Sequence, residues 1–446
     1  MLKFGDTLSN NRGSASLIDE DLNVFFVGTI STGFMESDDV SLFKIGTDGE
    51  IIWNYNFGNE QSEFVNNMIY SEDRFIIICG DVRDPETTDV NGFIMKIDTA
   101  GNLIYYNTYG SDSTNESFYG ITILEDGNFA ITGFITSTLG TGNDVLLVRY
   151  TTDGNLVNDF VFGSNLNDIG MGIVETDDGD IIISGDRATA GLYYNAFITK
   201  INSSNEIIWD HFVDLPVNSG CKTLQKTLSG NFILCGESAT DISPLFDILI
   251  ATFDGDGNII LLKTIPGIGV EAAYDITEAQ SGEFFLTGFG YNVATDNNDI
   301  IVVYVENTLS EIERKYFGET VADLAYDIKT DGGGNFWVTG FITEGDNVMF
   351  TLIYDSFDIL SELQEILFRE TDITIYPNPA IDQIVIEGKI SIDKLEFMDI
   401  TGRILFTFNN PEINSPIKLP ENFSNEMLIL KIYSDDRIIV KKIIAG

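Results

Sequence analysis

A short phrase recurs along the chain: a tight turn, an apolar strand of about four residues, and a glycine, as in DGNFAITG and GGNFWVTG. The glycines that close its seven copies are Gly28, Gly80, Gly133, Gly185, Gly236, Gly288 and Gly340. Neighbouring glycines lie 51 to 53 residues apart. A period of this length, kept over most of a chain, is the signature of a repeat architecture, and it constrains the fold more than any other feature.

Each repeat predicts four strands. About ten residues after the glycine, an Asp or Asn opens a second apolar strand, such as DVLLVRY. A turn follows, as in TDGEIIW, and its Gly or Asn tolerates the positive φ that hairpin turns need. After a polar loop another strand leads back to the phrase, as in FYGITILEDGN. Several repeats end their hairpin on an aromatic residue followed by glycine, namely Phe57-Gly58, Tyr109-Gly110, Phe162-Gly163 and Phe317-Gly318.

Four strands in about 52 residues cannot bury both faces of their sheet, so neighbouring repeats must cover them. Sheets that pack face to face around an axis form a β-propeller. We therefore predict an all-β chain with a seven-bladed β-propeller over residues 1–370, its seven repeats spanning 6–370. A β-helix is the alternative, but its rungs are usually shorter, and antiparallel hairpins with Asp-Gly turns argue against it.

The repeats also resemble a known family. The pattern D-x-x-x-x-K/R-x-x-x-x-G, then an aromatic-Gly pair and DGN-x-x-x-TG, resembles the bacterial β-propeller repeats of secreted and surface proteins. The resemblance covers residues 6–370. It implies a propeller and no particular activity.

The chain opens on MLKFGDT, which has the pattern of a strand end. Phe4-Gly5 precedes Phe57-Gly58 by 53 residues, so residues 1–5 look like the last strand of a repeat whose other strands are absent. This strand could pair with blade seven. However, LSELQEILF (360–368) matches LSEIERKYF (309–317) and would supply that strand instead. We therefore expect the complete protein to carry a Sec signal and part of another blade upstream.

Charge separates the chain into two parts. The net charge is −46, from 70 acidic and 24 basic residues. Residues 373–446 hold 10 acids and 8 bases, so nearly all the excess lies in the repeats. An acidic surface repels phosphates and anionic lipids, so we expect no nucleic acid and no membrane insertion. No apolar run approaches the ~18 residues of a membrane span. Three explanations of this excess of acidic residues stay open: solubility, the binding of divalent cations, and attraction to a cationic partner.

Three cysteines, Cys79, Cys221 and Cys235, are too few for a disulfide framework. Cys79 and Cys235 each precede a repeat glycine in an apolar run, which predicts buried core residues. Cys221 and Cys235 flank one hairpin, but a two-residue turn at Ser229-Gly230 would pair Cys235 with Leu224. We therefore do not favour a disulfide.

Candidate metal ligands are few. Asp254, Asp256 and Asn258 alternate as in a calcium loop, but no Glu stands at the twelfth position and the segment aligns with the other hairpin turns. We predict no cofactor, with Ca²⁺ as the one candidate. The Asp and Asn residues that open the second strand of each repeat are predicted to cap turn amides; a ring of acids around a channel is the alternative. These residues are Asp39, Asn91, Asp144, Asn195, Asp247, Asp299 and Asn347.

Catalytic residues are hard to find. The chain has one histidine, His211, at a strand position where other repeats carry Tyr55, Asn107 and Phe160. Such variation indicates a half-buried, tolerant position, so a Ser-His-Asp hydrolase is disfavoured. Trp53 and Trp209 occupy matching positions and are predicted to pack in the core. Paired carboxylates could support glycoside hydrolysis, but the sequence singles out no pair. We predict that the chain is not an enzyme.

The period stops near residue 370. Residues 371–446 contain several short strands and no helical periodicity, from ITIYPNPAIDQIVIEG through KLEFMDITGRILFTF to NEMLILKIYSDDRIIVKKIIAG. The two prolines around Asn378 enforce an extended entry. A hairpin is predicted about Asp435-Asp436. These features predict a small Ig-like β-sandwich.

This segment resembles the type A C-terminal sorting domain of the type IX secretion system of Bacteroidetes. The matching pieces are YPNPA, D-x-x-G-R and a terminal KKIIAG. Their residues are Tyr376, Pro377, Asn378, Pro379, Ala380, Asp399, Gly402, Arg403, Lys441 and Lys442. The family's Gly-x-Tyr before the penultimate strand is absent here. The resemblance implies recognition of these residues by the secretion machinery, export through a Sec signal that this chain lacks, and cleavage with release or attachment to surface lipopolysaccharide. A plain carbohydrate-binding sandwich is the alternative.

Together these features predict a secreted or cell-surface protein for binding or adhesion, monomeric, with a polysaccharide or protein ligand. Binding residues are expected in the long loops 29–38, 81–90, 134–143 and 289–298, which vary on a constant scaffold. A propeller-fold polysaccharide lyase or glycoside hydrolase is the first alternative and predicts two or three non-repeating polar residues converging at the axis. A structural spacer is the second and predicts no pocket of consequence.

Overall fold

The structure of the chain is a computed structural model, and it divides into two compact units, Met1–Ser356 and Phe357–Gly446. In the first unit it describes residues 1–4, 10–31, 37–58, 60–71, 73–87, 89–111, 113–136, 142–189, 193–213, 217–239, 245–280, 282–318, 321–331, 334–344 and 347–356. In the second it describes residues 374–376, 383–387, 392, 394–398, 404–409, 411, 415–418, 427–434 and 437–444. All the regular secondary structure in these ranges is β-strand. No helix in them is long and apolar enough to cross a membrane.

The first unit consists of seven antiparallel blades, and the repeat predicted from the sequence is confirmed. The inner strands, first in each blade, are β2 (Asn10–Ile18), β6 (Ser62–Tyr70), β10 (Glu116–Ile123), β14 (Asp168–Glu175), β18 (Val217–Lys226), β22 (Ala272–Glu278) and β26 (Leu324–Thr330). The second strands are β3 (Val24–Ser31), β7 (Phe75–Arg83), β11 (Phe129–Thr136), β15 (Ile181–Ala188), β19 (Phe232–Ala239), β23 (Phe284–Asn292) and β27 (Asn335–Glu344).

The outer half of each blade follows in chain order. The third strands are β4 (Asp38–Ile45), β8 (Val90–Asp98), β12 (Asn143–Tyr150), β16 (Tyr194–Ile201), β20 (Asp247–Phe253), β24 (Asn297–Val305) and β28 (Asn347–Ser356). The fourth strands are β5 (Ile51–Phe57), β9 (Leu103–Tyr109), β13 (Leu156–Phe162), β17 (Ile207–Phe212), β21 (Ile259–Ile265) and β25 (Glu311–Phe317). Each inner strand contacts the inner strands of both neighbouring blades, and β2 contacts β26, so the seven blades form a closed ring.

Blade seven takes its fourth strand from the start of the chain. β1 (Leu2–Phe4) pairs antiparallel with β28, with Phe4 opposite Phe350. Phe4 is buried against the rings of Phe26 and Phe43 of blade one, which gives this short strand its anchor. The expectation that residues 1–5 have no blade to join within this chain is therefore wrong. The segment 360–368, expected to take this place, lies outside the described residues, and an upstream segment stays a prediction.

Burial depends on the position of a strand within its blade. Second and third strands have strands on both sides and blades on both faces, so a strand such as β7 is buried along nearly its whole length. Fourth strands lie at the outer edge and alternate between exposed and half-buried positions, as in β5. His211 belongs to such an edge strand and is exposed, not half-buried as predicted; its ring stacks on Trp209. Trp53 and Trp209 both pack against hydrophobic core clusters, as predicted.

The connections alternate between the two ends of the ring because successive strands are antiparallel. Short turns join first to second strands and third to fourth strands, with positive φ at residues such as Gly154 and Asn205, as the turn sequences predict. The longer connections, from second to third strands and from one blade to the next, all lie at the other end of the ring, where the inner strands begin. We call this end the long-loop face.

The three cysteines are buried and free, as predicted. The predicted register of their hairpin is wrong by one residue: Cys235 lies opposite Thr223, not Leu224. The hairpin turn spans Thr227 to Asn231, because Thr227 donates its N–H to the Asn231 carbonyl and Gly230 donates to the Thr227 carbonyl. It is therefore longer than the two-residue turn assumed from the sequence.

The second unit contains two sheets. One is formed by β29 (Thr374–Tyr376), β30 (Gln383–Glu387) and β33 (Pro416–Lys418); the other by β31 (Lys394–Met398), β32 (Ile404–Asn409), β34 (Met427–Ser434) and β35 (Arg437–Ile444). A shared core joins them and includes Ile384, Ile417, Phe397 and Leu430. Ser434 lies opposite Arg437, as the predicted hairpin requires. This two-sheet arrangement agrees with the predicted small β domain.

Candidate functional site

Every inner strand carries a β-bulge at the same place. The pairing shifts by one residue immediately after the residue opposite the repeat glycine, so in each blade the next residue has no partner in the ladder. The seven bulged residues are Ser14, Asn66, Tyr119, Met171, Lys222, Tyr274 and Tyr326. Bulges reorient side chains and are frequent beside functional sites. We call these residues the bulge ring.

The repeat glycines make the bulges sterically possible. A Cβ added at Gly133 would stand well under 3.0 Å from the Ser117 carbonyl oxygen, and the other six glycines face the matching carbonyl in the same way. No real side chain tolerates such an approach, so only glycine fits opposite the bulge. The glycines therefore support the bulge ring from behind.

The bulge ring lines a central cavity of about 560 Å³ that receives residues from all seven inner strands. All members except the buried Ser14 are half-buried, so their side chains remain accessible from the channel. The bulges lie near the middle of the inner strands, between the long-loop face and the short turns. A cavity of this volume suits a small ligand or the end of a larger one.

One side of the channel is a series of alternating cationic and aromatic groups. The ammonium group of Lys222 lies 6.0 Å from the ring of Tyr274, which meets the Tyr326 ring edge-on at 5.2 Å. The guanidinium of Arg12 lies 4.4 Å above the Tyr326 ring. The side therefore offers rings for stacking and cations for hydrogen bonds to oxygen ligands.

The two cations differ in their surroundings. Lys222 lies 3.2 Å from Glu237 and 3.8 Å from Asp186. Burial alone would lower the pKa of Lys222, but these two carboxylates raise it above its ordinary value, so Lys222 stays charged. Arg12 is exposed and forms no ion pair with any carboxylate in the described part of the chain. Its guanidinium is therefore accessible to a ligand.

In five blades, the residue after the repeat glycine contacts the bulged residue of its own blade. Phe134 lies 6.1 Å from the Tyr119 ring and Phe289 lies 6.2 Å from the Tyr274 ring. Asn66 donates to Asp81 at 3.2 Å. These five blades thus hold the bulged side chain against a ring or a polar partner, which limits the conformations it can adopt.

A charged cluster lies at the axis. Lys329 binds Asp275 at 3.2 Å and also binds Asp327. Asp275 accepts the backbone N–H of Ile328 in the next blade at 3.1 Å, and Asp327 accepts that of Ser16 in blade one at 3.0 Å. These carboxylates therefore link the inner strands of blades six, seven and one.

The pKa values of this cluster reflect its burial. Burial raises the pKa of Asp327 to about 6, although Lys329 opposes the rise. For Lys329, burial favours loss of the proton, but Asp275 and Asp327 outweigh it and raise the pKa. The cluster therefore contains one firmly charged cation between two carboxylates.

A second cleft of about 240 Å³ opens beside the channel between blades two and three. Its lining includes Asp81, Arg83 and Phe134, together with Tyr119, which also lines the channel. The two cavities therefore share Tyr119 as a common wall.

The residues singled out from the sequence lie elsewhere. Among the described residues, the Asp and Asn side chains that open the third strands do not line the channel; Asp247 accepts the Gly267 N–H at 3.1 Å, a turn-capping contact. Asp254 accepts the N–H groups of Asp256 and Asn258, so its oxygens are engaged within the turn. No group of three or more His, Cys, Asp or Glu suited to a metal occurs in the described ranges.

The expected binding loops and the sorting motif are only partly described. Residues 289–298 are described in full, whereas 32–36, 88 and 137–141 fall outside the description. Tyr376 ends β29, and Lys441 and Lys442 pair with Leu430 and Ile429 in the second unit. The motif residues outside the described ranges are Pro377, Asn378, Pro379, Ala380, Asp399, Gly402 and Arg403.

The sequence contained a signal for the bulge ring that the sequence prediction missed. Each bulged residue stands fourteen positions before its repeat glycine, as Tyr119 does before Gly133 and Lys222 before Gly236. An alignment of the seven repeats would have shown that the residue at this position varies, whereas the glycine fourteen residues later is constant.

Comparisons with known proteins identify the C-terminal segment. Residues 374–445 match the family model described as the secretion system C-terminal sorting domain. This match confirms the predicted type IX sorting domain, and it indicates that the protein interacts with the type IX secretion machinery and is secreted to the cell surface or the extracellular space. No curated protein sequence matches the chain.

Similar solved structures include three proteins of low sequence identity. The WD40 domain of Pan2 from Neurospora crassa is 8% identical, with a TM-score of 0.48, over 77% of this chain and 89% of that one. PorZ, a surface component of the type IX secretion system of Porphyromonas gingivalis, is 10% identical, with a TM-score of 0.37, over 96% and 74%. The Hadza microbial sialidase Hz136 is 9% identical, with a TM-score of 0.42, over 71% and 73%.

Proposed function

We propose that the chain is a secreted or surface-exposed binding protein whose propeller takes a polysaccharide at the long-loop face, with one end of the glycan in the central channel. The observation that carries the proposal is the bulge ring: seven equivalent strand positions whose side chains differ, with three tyrosines and Lys222 among them and Arg12 over one of the tyrosine rings. A constant scaffold that presents variable, half-buried side chains is typical of a recognition site.

The chemistry of the channel favours a glycan over an apolar ligand. Tyr119, Tyr274 and Tyr326 offer ring faces on which sugar rings stack, while Arg12 and Asn66 offer donors for hydroxyl groups. Arg12 is exposed and has no carboxylate partner among the described residues, so a sugar hydroxyl or carboxylate need break no ion pair to reach it. The cleft that adjoins Tyr119 gives a longer chain a path out of the channel over blades two and three.

The test is a glycan array followed by affinity measurements on the glycans retained. Tyr274→Ala and Tyr326→Ala should each weaken binding by about two- to tenfold, because each removes a stacking ring worth about 0.5–1.5 kcal/mol. Tyr354→Ala is the control, since that tyrosine is 56% exposed on β28 and does not line the channel. Full binding by both channel variants, with loss only on changes to the short turns, would contradict the proposal.

An enzyme remains the second candidate because Asp275, Asp327 and Lys329 do converge at the axis and do not repeat in the other blades. Against catalysis, each carboxylate already accepts a backbone N–H from the neighbouring blade. A turnover screen on the bound glycans decides between the two: Asp327→Asn should leave binding intact, and a loss of measurable product formation in that variant would favour the enzyme. The spacer alternative predicts no substantial pocket, and the channel counts against it.

A further inference from the structure

Four blades carry a cation at the same place on their third strand, opposite the residue three positions before the repeat glycine. The four residues are Lys44, Lys96, Arg149 and Lys200. In blades one, two and four, an aspartate from the short turn of the same blade neutralises the lysine. The pairs are Lys44 with Asp19 at 3.1 Å, Lys96 with Asp73 at 3.5 Å and Lys200 with Asp178 at 2.9 Å. Blade three has a different arrangement.

Arg149 is only 8% exposed, and it forms no ion pair with a carboxylate of the described residues. The turn of blade three does contain an aspartate, but Asp126 accepts the backbone N–H and the side-chain amide of Asn128 instead. Arg149 donates through Nη1, to Asn158 at 3.2 Å and to Asn205 at 2.6 Å. Its Nε and Nη2 atoms contact no acceptor in the described part of the chain. One edge of the guanidinium therefore remains for a ligand.

The pKa of Arg149 reflects the missing counterion. Burial lowers this pKa, and no carboxylate of the described residues opposes the effect. Burial would lower the pKa of Lys200 as well, but Asp178 and Asp180 outweigh it and raise the pKa. A buried charge without an opposite charge is costly. Arg149 therefore differs from the three lysines in having a charge that an anionic group of a ligand would neutralise.

Arg149 lines a cavity of about 470 Å³ between blades three and four, at the short-turn end of the ring. Its acidic lining consists of Glu125 and Asp126, from the turn of blade three, and Glu175, at the end of β14. Apolar side chains also line the cavity, namely Leu124, Val157 and Ile181. A cavity of this volume suits a small ligand.

The three acids of the cavity do not neutralise Arg149. Glu175 accepts the backbone N–H of Glu125 through Oε2 at 2.6 Å, whereas the exposed carboxylate of Glu125 bonds to no described residue. Burial raises the pKa of Glu175, and the charges of Asp126 and Glu125 add to the rise. The cavity therefore holds a cation and several carboxylates on separate parts of its wall.

We propose that this cavity binds a small zwitterion, a free amino acid or the end of a short peptide, with its carboxylate on Nε and Nη2 of Arg149 and an ammonium group between Glu125 and Glu175. The planar edge of a guanidinium matches the two oxygens of a carboxylate, and an ammonium group donates to carboxylates. The acids repel a phosphate or sulfate ester, which carries only negative charge, so the cavity selects a ligand with both charges. The cavity shares no lining residue with the proposed glycan channel.

The test is isothermal titration calorimetry of the full chain with L-lysine and glycyl-L-lysine as probes. Both probes should bind, and the tighter of the two identifies either a free amino acid or a peptide end as the source of the ligand. Cadaverine, which is lysine without its carboxylate, and hexanoate, which has no ammonium group, should each bind about tenfold more weakly or less. Inorganic phosphate should also bind more weakly than lysine.

Arg149→Gln should weaken lysine binding by about tenfold or more, because it removes the cation that contacts the carboxylate. Lys44→Gln is the matched control, since it removes the cation at the same strand position in blade one, where Asp19 already neutralises it. Glu125→Gln should weaken binding by about two- to fivefold, because this acid is exposed. Its control is Glu50→Gln, at an exposed turn acid of blade one.

If Arg149→Gln fails to fold, Arg149→Lys replaces it, because three other blades carry lysine at this position. Lysine has no planar edge with two donors, so this variant should also bind both probes more weakly. Tyr274→Ala, in the channel, should bind lysine like the wild type, which separates this proposal from the glycan site. Absence of binding by both probes, equal affinity for lysine and cadaverine, tighter binding of phosphate than of lysine, or unchanged affinity in the Arg149 variant would each overturn the proposal.

Discussion

Several positions in this chain require glycine because any Cβ there would clash with a neighbouring atom, and the sequence alone does not reveal these clashes. None of the seven repeat glycines has a positive φ. Each is required because the bulge in the inner strand turns a carbonyl oxygen toward it. The aromatic-Gly pairs have a different cause, since their glycines face side-chain oxygens between blades. One residue type thus meets two separate steric demands.

Gly133→Ala should destabilise the propeller by about 3 kcal/mol or more, because its Cβ would overlap the Ser117 carbonyl oxygen and push β10 away from β11. Chemical denaturation measures the loss. Gly255→Ala serves as the control, since a Cβ there meets no atom within 4 Å and its φ is not positive. Equal stability of the two variants would show that the bulge does not require glycine.

Glu63→Gln should change how stability depends on pH. Burial, assisted by the nearby Asp39, raises the pKa of Glu63 to about 7 from its ordinary 4.5. The folded state therefore holds a proton that the unfolded state releases, and the stability present below pH 4.5 is lost as the pH rises through 7. The variant cannot ionise, so it should lose about 1–3 kcal/mol less between pH 5 and 8.

Melting temperatures across that pH range measure the effect. The control is Glu60→Gln, which changes an exposed carboxylate three residues earlier and should leave the pH profile unchanged. If Glu63→Gln and the wild type decline in parallel, the raised pKa of Glu63 is wrong.

At the scale of elements, blade seven differs most from its neighbours. Its fourth strand has three residues, whereas the fourth strands of the other blades have six or seven. Three backbone pairings alone hold a strand weakly, so the burial of Phe4 among Phe26, Phe43 and Phe350 must supply much of its stability. β1 thereby joins the first blade to the last.

Phe4→Ala should release β1 from β28 and lower the free energy of unfolding by about 3–5 kcal/mol. Amide hydrogen exchange is the sharper measurement, because protection should fall first at Phe350 to Leu352, the residues opposite β1. Ile52→Ala, at a residue 56% exposed on β5, should change little. Unchanged exchange in β28 would mean that β1 does not complete blade seven.

The whole molecule combines a strongly acidic propeller with a nearly neutral sorting domain. An acidic surface keeps a secreted protein dispersed, and it also limits which partners approach. Within that surface the channel concentrates Arg12, Lys222 and Lys329, so a ligand meets a local chemistry unlike the average of the propeller. The sorting domain and the proposed binding channel therefore lie in different units of the chain.

The paired substitution Lys441→Ala and Lys442→Ala should trap the protein in the periplasm of a host with type IX secretion, because it removes the two basic residues of the terminal motif on β35. Cell fractionation with immunoblotting measures the distribution. Lys418→Ala removes an exposed lysine of the same unit outside the motif and should be exported normally. Normal surface display of the double variant would exclude these lysines from recognition.

The sequence by itself determined the architecture. Seven glycines at a constant period determined the number of blades, apolar runs beside them identified the buried strands, and YPNPA with KKIIAG identified the sorting domain. These features are local and repeated, so the reasoning needs only distances along the chain. Distances along the chain were not enough to predict the residue opposite Cys235. That residue depends on the length of the turn, and the length depends on which backbone groups form hydrogen bonds.

Only the tertiary structure decided the candidate site and the closure of the ring. Side chains of a regular strand alternate between its two faces, and a bulge interrupts this alternation. The period of the sequence pattern therefore could not predict that Tyr119, Tyr274 and Tyr326 line one channel. Closure pairs Phe4 with Phe350, which lie at opposite ends of the propeller sequence. Such residues become neighbours only when the seven blades close around an axis. The sequence of a single repeat therefore does not show which of the residues that differ between repeats will meet at the centre.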